Sequence, residues 1–191
     1  MKRVAGLLAA LLVLAGCSTG TDAVARGGTF EFVTPGGKTE IFYDPPAERG
    51  TVGQLSGPAV RDRSRTVSLA QFRGQVVVLN VWGSWCGPCR AEAGDLQQVA
   101  EQTAGDATVL GIDVRDRRSA AADFMRNYGL TYPSIFDPPG RTLFALRDVP
   151  RSIVPLTVVL DRQHRVAAVF LREITAEDLL PVVSRLAAEP R

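Results

Sequence analysis

An apolar run broken only by Asn80, VVVLNV at residues 76–81, leads directly into WGSWCGPCRAE at residues 82–92. So apolar a run fits a strand buried on both faces of a sheet. A helix is expected from about Pro88 to Thr103, because Pro88 lacks an N–H that would be unpaired in a first turn anyway. Cys86 therefore falls where strand hands over to helix, beside unpaired backbone N–H groups that favour a thiolate. Counting from Cys89, Ala93, Leu96 and Ala100 lie at +4, +7 and +11, the period of a buried stripe. Cys89 is thus expected to point inward and Cys86 to be exposed, an attacking thiol beside a sheltered resolving one.

Three chemistries can use such a pair. Structural zinc needs four ligands, and beyond this pair the chain has only Cys17 and one histidine, His164. No metal site and no cofactor is expected, and His164 reads as a solvated turn residue. A structural staple over three residues closes so small a loop that it removes little entropy from the unfolded chain. A working dithiol is the reading that remains.

The amino terminus accounts for the third cysteine. MKRVAGLLAALLVLAGC has a basic start at Lys2 and Arg3, then an apolar run too short to span a bilayer comfortably. Its LAGC end is similar to a bacterial lipobox, with Cys17 as the acylated residue; an ordinary secretory signal is the alternative. Residues 1–16 then form a signal peptide and 17–28 a lipid-anchored flexible tether. Loss of Lys2 and Arg3 takes the 22 basic residues to 20, against 20 acidic. A neutral mature chain argues against nucleic acid as a partner and leaves lipid, not charge, to hold it at the extracytoplasmic face of a membrane. Cys86 and Cys89 would then face a compartment where disulfides persist.

Residues 29–57 read as an N-terminal extension, with FEFV and TEIFY forming a hairpin around TPGGK. Residues 58–191 alternate strand and helix: a strand pair at Ala59–Arg61 and Thr66–Ser68, a buried strand at Thr108–Val114, and a helix at Ser119–Tyr128 capped by Ser119. Leu156–Leu160 and Arg165–Phe170 flank the turn DRQH, and Thr175 caps a last helix through Ala188 that Pro181 should disturb. The class is α/β, with a central mixed sheet flanked by helices.

WCGPC after a buried strand resembles the thioredoxin motif. With RTVSLAQFRGQVVVLNV before it and GIDVRD, NYGLTYPSIFD and VPLTVVLDRQHRV after it, residues 57–189 are similar to the TlpA/ResA-type membrane-tethered thiol–disulfide oxidoreductases. The resemblance implies a thioredoxin-like fold and a redox disulfide between Cys86 and Cys89. It also implies a cis Pro155 facing the dithiol, a Val154 backbone that pairs with substrate, and Trp85 on the docking surface. Asn80 stands where cytosolic-type thioredoxins keep a buried aspartate, so the assisting acid is sought after the next strand, at Asp116 with Asp113 in reserve. A solvated Asp116 among Arg115, Arg117 and Arg118 is the alternative. The implied clients are disulfide-bearing exported proteins, apocytochrome c first, with a membrane thiol donor and a monomeric enzyme. Oxidation or isomerisation of secreted proteins uses the same dithiol, because direction depends on potential and partners.

Overall fold

The computed structural model describes residues 32, 36–147 and 149–190. Its strands and α-helices are β1 (Glu40–Phe42), β2 (Ser56–Pro58), β3 (Thr66–Ser68), β4 (Val76–Trp82), α1 (Gly87–Gln102), β5 (Ala107–Asp113), α2 (Arg118–Asn127), β6 (Ser134–Phe136), β7 (Leu156–Leu160), β8 (Val166–Phe170) and α3 (Ala176–Ala188). The main sheet runs β1-β8-β7-β4-β5-β6, and β2 pairs with β3 alone. β4 lies inside the sheet, parallel to β5 and antiparallel to β7, and all seven of its residues are buried. The unbroken apolar run of its sequence is the consequence of having protein on both faces.

One buried cluster joins Val76, Val78 and Trp82 of β4 to Ala93, Leu96 and Val99 of α1, Phe124 of α2, and Leu179 and Leu186 of α3. The second joins Val77, Leu79 and Val81 to Ile41, Tyr43 and Leu55 of the N-terminal segment and to Leu143 and Leu146. Alternation along β4 thus sends successive residues to separate cores. α3 begins on a reciprocal capping box, Thr175 with Asp178, and continues through Pro181, which occupies its sixth position.

Several boundaries differ from the sequence expectation. The partner of Thr66–Ser68 is Ser56–Pro58 and not Ala59–Arg61, because Ala59 bridges to Ile135 beside β6. Ser119 is not the cap of α2. The helix starts one residue earlier, with Arg117 at the cap position and no side-chain cap bond. His164 is not merely solvated: it turns the β7–β8 connection with φ 57° and donates from Nε2 to the Phe72 carbonyl at 3.0 Å, and burial lowers its pKa. The first arm of the expected hairpin lies outside the described residues except for Phe32, and the second arm, β1, pairs antiparallel with β8.

Residues 40–55 are tied in by Arg49, whose side chain is fully buried. Its guanidinium donates to the Tyr43 carbonyl at 3.0 Å, to Asp161 at 3.3 Å, to Glu189 at 2.6 and 2.8 Å, and to Asp44 at 2.7 Å. Every arm of the fork is used, which suits guanidinium better than ammonium. Asp161 is buried as well and keeps Arg165 at 2.8 Å, so what the loss of Arg49 breaks is the wider cluster that also holds Glu189, Asp44 and the Tyr43 carbonyl. Arg49→Ala should cost about 3–5 kcal/mol in denaturant unfolding, and Arg49→Lys should recover only part of it. A loss below about 1 kcal/mol would show that the fold does not depend on this cluster.

Candidate active site

β4 ends at Trp82, and the chain leaves the sheet at Gly83, where a Cβ would collide with the indole of Trp85. Glycine here allows Trp85 to fold back over its own loop. The Cys86 N–H donates to the Gly83 carbonyl at 3.0 Å and closes the turn. Cys86 is the N-cap residue of α1, and its sulfur accepts the Cys89 backbone N–H at 3.2 Å. The two cysteines form a disulfide, with Cα atoms 5.3 Å apart.

Cys86 is buried, contrary to the expected exposure; 3% of its surface is accessible against 2% for Cys89. In the oxidised protein its sulfur is covered by the Cys89 sulfur and lies 3.8 Å from the Val154 carbonyl oxygen. The Val154–Pro155 peptide bond is cis. Trp85 is 45% exposed, and its Nε1 donates to the Val114 carbonyl at 3.1 Å. Trp82 is core: it donates to Ser134 Oγ at 2.9 Å and stacks on Phe124 with ring centroids 4.8 Å apart. Cys86, Cys89, Val154 and Pro155 are thus brought together, with Trp85 beside them. Cys17 lies outside the described residues.

Asp116 is half-buried, and its oxygens accept the backbone N–H groups of Ser84 and Arg117, each at 2.7 Å. It anchors the loop that delivers Cys86. Asp113 is fully buried at the end of β5, and neither of its oxygens has a hydrogen-bond donor among the described residues. Burial, then the neighbouring Asp116 carboxylate, pushes its pKa up to about 9, with Arg118 opposing and Asp137 adding to the rise.

Glu92 was missed by the sequence reading. It lies three residues beyond Cys89 on the same face of α1 and is 1% exposed. Its Oε1 accepts from Asn80 Nδ2 at 2.8 Å and its Oε2 from the Ile174 N–H at 3.1 Å. Asn80 Nδ2 also meets Thr157 Oγ1 at 3.1 Å. Burial raises Glu92 to about 7 while these donors hold it back. The signal was present: position +3 from an inward cysteine belongs to the buried stripe, and a charged residue there asks for an explanation. Among the described residues no group of His, Cys, Asp and Glu suits a metal ion.

Both raised carboxyls fix the sign of the pH dependence. The unfolded chain releases these protons at the ordinary carboxyl values of 4.5 and 3.8, the folded chain only at about 7 and about 9, so the native state binds more protons between them. Stability should therefore fall as pH rises from about 5 to about 9. Asp113→Asn should flatten the upper part of that slope and gain about 1–3 kcal/mol at pH 8. Urea midpoints measured across pH for both proteins check this, and parallel curves would remove Asp113 as the cause.

The AhpC/TSA family matches residues 54–169. The thiol:disulfide interchange protein DsbE of Pseudomonas aeruginosa is 32% identical over 138 residues, 70% of this chain and 73% of that one. The secreted thiol–disulfide isomerase of Corynebacterium glutamicum superposes with a TM-score of 0.82 at 50% identity, over 85% of this chain and all of that one. A DsbF homologue from Corynebacterium diphtheriae gives 0.79 at 53% identity, over 83% and 99%. ResA of Geobacillus kaustophilus is 28% identical over 58% of this chain and 63% of that one. The chain belongs to the AhpC/TSA family and is a thiol–disulfide oxidoreductase of thioredoxin-like fold.

Proposed function

We propose that this protein exchanges disulfides with exported proteins outside the cytoplasm, held at the membrane by lipid on Cys17, and that it works as a reductant. The observation that carries the chemistry is the Cys86 sulfur at the N-cap of α1, on the Cys89 N–H and beside the Val154 carbonyl. The Cys86 thiolate attacks one sulfur of a client disulfide, and the client's other sulfur leaves as a thiolate. Cys89 then attacks Cys86 in the mixed disulfide, releasing the reduced client and leaving the Cys86–Cys89 disulfide. Two electrons pass to the client, and a membrane thiol donor returns them. Glu92, on the Cys89 face of α1 and near neutral pKa, is placed to accept the Cys89 proton at the resolving step. Asp116 positions the loop. Val154 offers backbone to an extended client, and Pro155 and Trp85 shape its seat. Apocytochrome c is the first client, as the resemblance to the TlpA/ResA-type oxidoreductases implies, and the Gly87-Pro88 dipeptide between the cysteines supports the reducing direction.

One observation favours the reverse direction. Two solved structures that share half their residues with this chain are described as a secreted thiol–disulfide isomerase and a DsbF homologue. The dithiol would then oxidise or reshuffle secreted proteins.

Cys89→Ser, expressed in the native envelope, should accumulate adducts through Cys86. Apocytochrome c among them supports reduction, a broad set of secreted proteins supports the reverse, and no adducts would sink both. A potential near about −270 mV fits the reductant, whereas one near about −120 mV fits an oxidase. Glu92→Gln should slow resolution about 100-fold and abolish its inflection near neutral pH; an unchanged pH–rate profile would remove Glu92 from proton transfer.

A further inference from the structure

Around the disulfide the surface is both aromatic and cationic. Trp85 and Phe144 are two of the four large apolar side chains left exposed among the described residues, and each carries a guanidinium. Arg115 lies 4.6 Å from the Trp85 ring centre, and Arg151 lies 4.1 Å from that of Phe144. Arg115 Nη2 also donates to the Ser152 carbonyl at 3.4 Å, which joins Trp85 to the turn entering Val154–Pro155. Arg147 lines one groove with Phe144 and Arg151, and Arg90, next to Cys89, donates to the Ser84 carbonyl at 2.6 Å.

Among the described residues, none of Arg90, Arg115, Arg147 and Arg151 forms an ion pair, whereas Arg49, Arg165, Arg172 and Arg185 all do. The chain as a whole is nearly balanced, with 22 basic and 20 acidic residues, so no overall positive field would by itself draw an acidic client to these four. Asp116 is the nearby carboxylate, and its oxygens are taken by the N–H groups of Ser84 and Arg117. A guanidinium stacked on a ring keeps in-plane donors free for carboxylate oxygens, while the ring offers apolar area beside it.

We infer that the Trp85–Arg115 and Phe144–Arg151 pairs form the client-docking surface and select disulfides flanked by acidic and aromatic residues. This rests on the proposed exchange with protein clients. The occupant is a polypeptide, because Trp85 directly precedes Cys86 and Arg151 lies three residues before Val154, whose carbonyl is 3.8 Å from the Cys86 sulfur that must meet a client disulfide. A membrane lying on the same surface would cover it.

The test uses the full chain, reduced and freed of reductant, in single-turnover exchange with three oxidants. Two are synthetic peptides with one internal disulfide and the same Phe residues, flanked by Glu in one and by Lys in the other. The third is hydroxyethyl disulfide, which is neutral and reports the chemistry alone. Normalised to it, the Glu peptide should react about ten times faster than the Lys peptide at low salt, and the gap should shrink in about 0.5 M NaCl. R115E/R151E should reverse the ratio, and R115Q/R151Q should abolish it without reversal. Equal rates, a preference for the Lys peptide, or a ratio unmoved by the variants would overturn the docking surface while leaving the exchange function intact. So would inhibition of exchange by anionic vesicles, which would assign the surface to a membrane. Failure with hydroxyethyl disulfide would sink the proposed function and this inference with it.

Discussion

The 3.2 Å hydrogen bond from the Cys89 N–H to the Cys86 sulfur makes one atom both the cap of a helix and half of a redox centre. A cap is normally an oxygen, and it satisfies one donor that the first helical turn cannot satisfy itself. With sulfur in that place, reduction puts a negative charge where N–H dipoles already point. The bond then becomes charge-assisted and stronger. The same contact therefore favours the attacking thiolate and stabilises the reduced state, and stabilising the reduced state makes the disulfide a better oxidant. Nucleophilicity and redox direction are coupled through this one contact.

The core determines where that sulfur sits. Trp82 is held by Ser134 and Phe124, and two residues later Asp116 takes the Ser84 N–H. Between them Gly83 has no side chain to push Trp85 outward. Behind the pair, Asn80 donates to Glu92, so the buried acid sits on α1 and an amide on β4. Two buried carboxyls facing each other would have to share a proton, whereas an amide can donate to either form and favours the anion. Glu92 can then titrate near neutral pH without losing its partner. Asp113 has no such donor, and its proton is retained well above neutral pH.

Much of this was legible from local sequence. The apolar run of β4, the period after Cys89 and the Thr175 capping box each contain their own evidence within a few residues. What escaped depends on distant partners. Arg49 reads as a charge in a turn-rich stretch, yet its partners Asp161 and Glu189 lie 112 and 140 residues away. Ala59 was placed in the wrong pair because its bridge is to Ile135, far along the chain. Glu92 was overlooked because a glutamate in a helix is ordinarily solvated, although helical spacing placed it on the buried side. Asp116 was singled out through the family resemblance, but its bonds to the backbone of Ser84 and Arg117 appear only once the loops meet.

The order of the sheet separates the chain's entry from its chemistry. β1 covers the free edge of β8, while β4 and β5 deliver Trp85, Cys86 and Arg115 from the other side of β7. An uncovered β8 would offer unpaired backbone groups to other chains. β1 replaces that edge with one only three residues long, and Arg49 fixes the segment after it to Asp161 and Glu189. A lipid tether on Cys17 would therefore join the fold at the edge strand, three strands away from the strand that leads into the dithiol. Such an anchor would hold the fold by its β1 edge and leave the side that carries Trp85 and Arg115 to meet a client.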